Sequence, residues 1–513
     1  MDGNKKESVK NSLGRALFVG VSLILQVGWI VGLVMKVNDY YAQISIVTSF
    51  LALAMVLRIY GKHQNGAIKT SWIILILLFP VFGLCLYFLV GRTGATKGMR
   101  RRFEKINTEL DGLLVQDEAL LAELTEENPG VANQCRYIAR FGPYPVYRNT
   151  DVVFYADAAD GLEAQKEELR KAEKFIFMEY HAIEDSQSFH GLEEILAEKA
   201  AQGVDVRLFY DDMGSIGFVS GPFVKRMREK GIQCRVFNPL LPIINVFMNN
   251  RDHRKITVVD GRVGFTGGYN LADEYFNLTH PFGQWKDTGL KLTGDAVRSL
   301  TVMFLEMWNA MEKSDADYER FLPPIAHTAA ERGCVQPYAD SPLDDERVGE
   351  NVYMNMVKNA KHYVYVMTPY LILDDEMNYE LGLAAKRGVD VRVMTPGIPD
   401  KKLVYGVTRS YYAGLVRDGV RMYEYTPGFV HAKEMLCDGE TAAVGTINLD
   451  YRSLYHHFEN GAFLYNCSAI EDIRRDFDET LTQCREVTAD YSGKRSAVLR
   501  GKQCLLRLFA PLM

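Results

Sequence analysis

Two stretches of the 513-residue chain carry the same reactive pattern: HRKITVVDGRVGFTGGYN from His253 and HAKEMLCDGETAAVGTINLD from His431. Each sets a lysine two residues after the histidine, then an aspartate, a glycine and an asparagine at matching positions. The two sets are His253, Lys255, Asp260 and Asn270, and His431, Lys433, Asp438 and Asn448. Imidazoles titrate near neutrality, so one can attack while the other moves a proton. Two ammonium groups and two amides suit a group with several anionic oxygens, which is the demand of phosphoryl transfer. A histidine attacking phosphorus gives a covalent phosphohistidine and divides the reaction into two displacements. One H-x-K-x4-D pattern arises by chance in roughly 0.03 of chains of this length. Two in register, each with its Gly and Asn, put coincidence below about 1%.

The elements that must position these groups follow from the spacing. Asp260-Gly261 and Asp438-Gly439 are turn dipeptides, so each motif outlines a β-hairpin. Residues i and i+2 of a strand share a face, so each His and Lys project together. The aspartates fall on the opposite parity and are expected to brace the hairpin without touching substrate. Each imidazole also needs an orienting acid. Asp287 in GQWKDTGL and Glu459 in YHHFENGAF, each in a strand-like run after its own motif, are the candidates. Glu459, beside the second motif, suits a His431 that shuttles a proton. No H-E-x-x-H, Cys/His cluster or phosphate-loop spacing is present, so neither a metal nor a cofactor is expected. The eight cysteines are scattered and read as reduced, mostly buried thiols.

The motifs belong to a longer internal repeat. AEKFIFMEYHA (172–182) resembles AKHYVYVMTPY (360–370), and AAQGVDVRLF (200–209) resembles AAKRGVDVRVM (384–394). GIQCRVF (231–237) resembles GVRMYEY (419–425). The pairs come in the same order and keep nearly the same offset, the mark of a duplicated unit. Apolar runs alternate with amphipathic helices, which argues α/β layers. The expected fold is two tandem α/β/α half-domains sharing one site, 145–330 and 331–490. A linker at 92–144 precedes them, basic first and then acidic and helical to Pro129-Gly130, and a basic tail at 491–513 follows. In the tail Leu505, Leu506, Leu508 and Phe509 suit a membrane surface.

Charge divides the chain. Residues 1–105 are net +10 and the rest net −16, within a total of −6. A large acidic body is a poor partner for nucleic acid. Mean hydropathy is −0.11, and residues 1–91 hold three uncharged runs, 16–35, 40–57 and 72–90. Each approaches the length needed to span a bilayer, so a multi-pass membrane anchor is expected. Three crossings place seven basic residues on each side, a tie under the positive-inside rule. If the third run, with Pro80 and Gly83, is re-entrant, the count becomes thirteen to one and places the catalytic body in the cytoplasm.

The paired motifs resemble the signature of the phospholipase D superfamily. The layout, including FPVFGLCLYFLVGR, FIFMEYHAIED, TPYLILDDE, WKDTGLKLTGDAV, NLDYRS and LLRLFAPLM, resembles bacterial cardiolipin synthases over nearly the whole chain. The resemblance implies phosphatidyl transfer between two phosphatidylglycerols, giving cardiolipin and glycerol. It assigns the catalytic set to His253, Lys255, Asp260, His431, Lys433 and Asp438, with His253 as nucleophile and His431 as acid/base. Asn270, Asn448, Thr446, Glu459 and Asp287 are left to bind the phosphate or orient the imidazoles. Two positions depart from the pattern. Where the superfamily often has Ser after the motif glycine, this chain has Gly268 and Thr446, so only the second half offers a hydroxyl to the phosphate. Gly289 stands where these synthases often have His. A hydrolase using water, a synthase taking ethanolamine phospholipid, and a non-enzymatic membrane scaffold are the alternatives; two intact motifs argue against the last.

Overall fold

The computed structural model describes residues 24, 27–28, 41–91, 97–217, 219, 221–239, 250–344, 346–493 and 497–512. The first hydrophobic run, 16–35, therefore lies outside the described residues apart from three positions.

The repeat seen in the sequence is a repeat in space. The first half contributes β1 (Thr150–Tyr155), β2 (Phe175–Tyr180), β3 (Asp205–Asp211), β4 (Gln233–Phe237), β5 (Arg251–Asp252), β6 (Lys255–Val259), β7 (Val263–Gly267), β8 (Gln284–Lys286) and β9 (Gly289–Gly294). The second contributes β10 (Cys334–Asp340), β11 (Tyr363–Met367), β12 (Asp390–Pro396), β13 (Arg421–Tyr425), β14 (Gly428–Val430), β15 (Glu434–Cys437), β16 (Thr441–Gly445), β17 (His457–Tyr465) and β18 (Cys484–Glu486). One sheet runs β1-β9-β7-β6-β2-β3-β4 and the other β10-β17-β16-β15-β11-β12-β13-β18, the same order with one strand added. In both, three parallel strands joined by crossover helices continue into an antiparallel block that carries the motif hairpin. Parallel strands covered on both faces should be apolar throughout, and β2 (FIFMEY) is buried at every residue. The helix Val297–Met311 is buried along nearly its whole length and stacks Phe304 on Phe177, ring centroids 4.4 Å apart.

Both hairpin turns form as the Asp-Gly dipeptides require, with positive φ at both central residues. Asp260 and Gly261 take φ of 54° and 66°, and Asp438 and Gly439 take 55° and 70°. Arg262 N and Glu440 N close the turns on Val259 O and Cys437 O. The aspartate side chains face away from the chemistry. Asp260 accepts the backbone N–H groups of Glu173, Lys174 and Phe175 at 2.8–2.9 Å, and Asp438 those of Lys361, His362 and Tyr363 at 2.7–2.8 Å. Each thus ties its motif hairpin to the start of the neighbouring strand, β2 or β11. Placing these two in the catalytic set is corrected accordingly: they brace it, as their strand parity implies.

Residues 97–144 are part of the folded body. Helices Lys97–Leu110, Glu118–Glu127 and Pro129–Phe141 belong to the body, and Phe103 is buried and stacks on Phe458 at 5.1 Å. Pro129 opens the third helix instead of ending the second, because a first-turn proline loses no hydrogen bond there. The third hydrophobic run is also not one element. The helix Gly66–Leu78 stops at Phe79, and Pro80–Leu86 folds back, so close that a Cβ on Gly83 would lie 2.7 Å from Ile76 Cα. Among the described residues, no helix is long and apolar enough to cross a membrane. Run 40–57 lies almost wholly within the helix Tyr41–Tyr60, which leaves Ile46, Val47, Phe50, Leu51, Leu53 and Leu57 exposed. The tail forms the helix Ala497–Phe509, packed on the helix Lys402–Asp418, and Ser71 Oγ donates to Leu508 O at 2.6 Å.

Removing one brace should cost stability and leave the chemistry alone. Asp438→Ala loses three charge-assisted hydrogen bonds and should destabilise the fold by about 1.5–3 kcal/mol. The check is denaturant unfolding of the variant beside its turnover per folded molecule, which should not change.

Candidate active site

The halves are joined by two short parallel strand pairs, and these set the site. β5, just before His253, pairs with the start of β17, and β14, just before His431, pairs with β8. His253 N donates to Phe458 O at 2.9 Å, and His431 N donates to Lys286 O at 2.7 Å. Each pairing sets an imidazole of one half beside the carboxylate of the other. His253 Nδ1 lies 2.8 Å from Glu459 Oε2, and His431 Nδ1 lies 2.6 Å from Asp287 Oδ2. Both orienting acids are thus found, with the partnership crossed: Glu459 serves His253 and not His431, because the inter-half strands bring it there.

Each carboxylate has a seat built by the residue after the motif glycine. A Cβ on Gly268 would run into Asp287 Oδ1, so glycine is needed for that acid to reach His431. Thr446 Oγ1 donates to Glu459 Oε2 and accepts from Asn460 N at 3.0 Å. The expectation that Thr446 offers its hydroxyl to the phosphate is therefore corrected. It is fully buried and holds the acid. Asn460 ties the halves further, its Oδ1 accepting from Lys255 N at 3.3 Å and its Nδ2 donating to Thr266 Oγ1 at 2.7 Å.

His253, His431, Asn270 and Asn448 line one cavity of about 500 Å³. Asn270 Oδ1 accepts from Ala182 N and its Nδ2 donates to Tyr275 Oη, whereas Asn448 Oδ1 is buried with no protein partner. The lysines lie buried behind the imidazoles: Lys255 Nζ donates to His253 O at 2.7 Å, and Lys433 Nζ is 2.8 Å from His431 Nδ1.

Burial governs the protonation states, because it penalises the charged form of each group. It pulls His253 down to about 3 and His431 to about 4, against the raising effect of Glu459 and Asp287 respectively. It also pulls Lys255 to about 8 and Lys433 to about 7. Burial alone would raise the two acids, but His253 holds Glu459, and His431 with Lys433 holds Asp287, below the usual carboxylate range. Each dyad in the free site is thus a neutral imidazole donating Nδ1–H to a carboxylate. Nε2 keeps the lone pair, which suits attack on an electrophile or abstraction of a proton.

A family model described as "Cardiolipin synthase, PLD-like domain" matches residues 166–308 and 353–481, and one described as "Phospholipase_D-nuclease N-terminal" matches 49–92. The chain belongs to the phospholipase D-like cardiolipin synthase family. A cardiolipin synthase of Geobacillus kaustophilus is 33% identical over 97% of this chain and 98% of its own. One of Staphylococcus aureus is 34% identical over 89% and 93%. An uncharacterized protein of Streptococcus mutans is 42% identical over 90% of this chain and all of its own. The phosphatidylserine synthase of Haemophilus influenzae shares the fold at 14% identity, with a TM-score of 0.54 over 74% of this chain and 98% of that one.

Within the family's paired-motif site, the surroundings here break the two-fold. The residues two before each imidazole are Arg251 and Phe429, and those two before each acid are His457 and Trp285. His253 accordingly stands among His181 and His457, ring centroids 4.9 and 5.4 Å away. His431 stands among Tyr275, Trp285 and Phe429 at 5.2, 5.3 and 5.9 Å. Sequence reasoning missed these flanking residues. The alternation that pairs His253 with Lys255 also pairs His457 with Glu459 and Trp285 with Asp287, and was the available signal.

Two outcomes follow. The imidazole lone pairs are present above about 3 and 4 and are lost as pH falls through those values. The lysine charges are present below about 7 and 8 and are lost as pH rises through them. A profile of kcat/KM against pH should fall below about 3, where His253 loses its lone pair, and fall above about 7, where the lysine charges are lost. Gly268→Ala should displace Asp287 and lower kcat on the order of 10²-fold, measured beside a melting curve that shows the fold retained.

Proposed function

We propose that this protein is a cardiolipin synthase that moves a phosphatidyl group from one phosphatidylglycerol to a hydroxyl of a second, releasing glycerol. The observation that carries the reading is the crossed pair of imidazole–carboxylate dyads on one cavity. Relatives that match this chain nearly end to end and bear that name support it.

In this reading Glu459 fixes His253 with Nε2 toward the phosphorus. Attack forms the N–P bond and breaks the P–O bond to glycerol, while His431 gives its proton to the departing oxygen. In the free site His431 is neutral, so the arriving phosphodiester anion draws a proton onto it by opposite charge. Lys255 and Lys433 balance the phosphoryl oxygens, and Asn270 and Asn448 supply amides from the cavity wall. The second phosphatidylglycerol then gives its hydroxyl proton to neutral His431. Its oxygen attacks phosphorus and the N–P bond breaks, restoring His253. Because the two displacements are alike, excess glycerol should drive cardiolipin back to phosphatidylglycerol.

Membrane attachment belongs to the same reading. The exposed apolar face of the helix Tyr41–Tyr60, together with Leu77, Leu78 and Phe79, supports placement of the N-terminal segment in a bilayer. The chain reversal at Phe79–Pro80 supports a re-entrant third run, which puts the catalytic body on the cytoplasmic face. In the tail, Leu505 and Phe509 are exposed beside the same segment.

Purified full-length protein in detergent, given phosphatidylglycerol alone, should yield cardiolipin and glycerol in equal amounts. Phosphatidic acid as the main product marks a hydrolase, and turnover only on adding phosphatidylethanolamine marks a different lipid pair. His253→Ala should abolish the phosphatidyl-enzyme trapped by acid quench. His431→Ala should slow its formation by roughly 10²–10⁴-fold, and label found on His431 in the parent enzyme reverses the two roles.

A further inference from the structure

The side of the cavity that holds His253 carries more nitrogen and oxygen lone pairs than phosphatidyl transfer uses. His457 Nδ1 and Nε2 are both buried without a hydrogen bond in the protein, and so is Glu459 Oε1. Native proteins seldom leave such atoms unsatisfied. His457 Nδ1 stands 3.4 Å from Glu459 Oε1. Two donors each about 2.0–2.1 Å from a tetrahedral zinc lie about 3.3–3.4 Å apart, so that separation is the edge of a zinc coordination sphere. One donor atom from each of His253, His457 and Glu459 falls within 4.8 Å of the others. A third imidazole, His181, stands at the rim with Nδ1 on Asp252 O at 2.7 Å.

We propose that His253, His457 and Glu459 form a site for a divalent transition metal of zinc's chemistry, and that its occupancy blocks phosphatidyl transfer. Two imidazoles and a carboxylate are the ligand types zinc takes, and the hard, oxygen-seeking Mg²⁺ is poorly served by them. The site exists on one side of the pseudo-two-fold only, because Trp285 occupies the position equivalent to His457. Coordination at His253 Nδ1 displaces the hydrogen bond to Glu459 and sends the ring proton to Nε2. The nitrogen that attacks phosphorus then has no lone pair to give. This blocking effect rests on the reading of His253 in the preceding section; metal binding itself does not.

The experiment uses the full chain in detergent, stripped with chelator and titrated with Co²⁺ alone. A visible d–d spectrum of low-symmetry, four- or five-coordinate cobalt should saturate at one ion per chain and be displaced by Zn²⁺. His457→Asn should weaken that binding by at least the roughly 10–100-fold that loss of an outer-shell partner costs. Glu459→Gln serves as a second variant should His457→Asn misfold. Zn²⁺ at saturation should suppress transfer in the parent protein, and chelator should restore it. The proposal is overturned by absence of the cobalt spectrum, by its persistence in both variants, by its loss in His190→Ala, which disrupts the second cluster, Asp185–His190–Glu193, or by full transfer with zinc bound. A protein that turns over no phosphatidylglycerol at all would still report the metal through its spectrum.

Discussion

Everything in the site depends on the two strand pairs that cross between the halves. A backbone pairing of two or three residues, β5 with β17 and β14 with β8, sets the height and rotation of each imidazole against an acid far away in the chain. A pairing slip of one residue would turn the acid to the other face of its strand. The hairpins, the aspartate braces and the buried central helix hold that register. The lysines and amides are useful only because the register is kept.

Burial is the second constraint, and it acts with the first. A carboxylate and an imidazole enclosed together can share one charge or none, and here the carboxylate keeps the charge while the ring stays neutral. That choice leaves a nucleophilic lone pair available at neutral pH. In the proposed reaction it also ties substrate binding to proton uptake, since the second ring gains its proton as the anion arrives. The lysines behind the rings are held near their own titration for the same reason, and in the proposed reaction a bound phosphate would stabilise their charge.

Much of this was legible in the sequence because it was written twice. The repeated motif pointed to His253, Lys255, His431 and Lys433, and strand parity separated Asp260 and Asp438 from them. The Asp-Gly turns and the duplicated α/β unit follow from local pattern. What local pattern could not carry was partnership. Glu459 lies only a short way after His431 in sequence, yet the inter-half strand brings it to His253, and no spacing rule encodes a contact between two separate sheets. Thr446 was misread for a related reason: its neighbour in the fold is the acid, not the cavity. Composition left the third hydrophobic run open between a span and a re-entrant segment, because it registers apolarity, whereas the reversal at Phe79 depends on Pro80 and on glycine allowing two helices to touch.

The crossing also divides labour in heredity. Asp287 and its seat Gly268 lie in the first half, Glu459 and its seat Thr446 in the second, while each imidazole comes from the opposite side. An acid and the residue that accommodates it are thus transmitted together, and the ring they serve is supplied by the other half. Chimeras that join the first half of one relative to the second half of another should keep every acid in a fitting seat. They would stand or fall on whether the borrowed halves can still exchange strands.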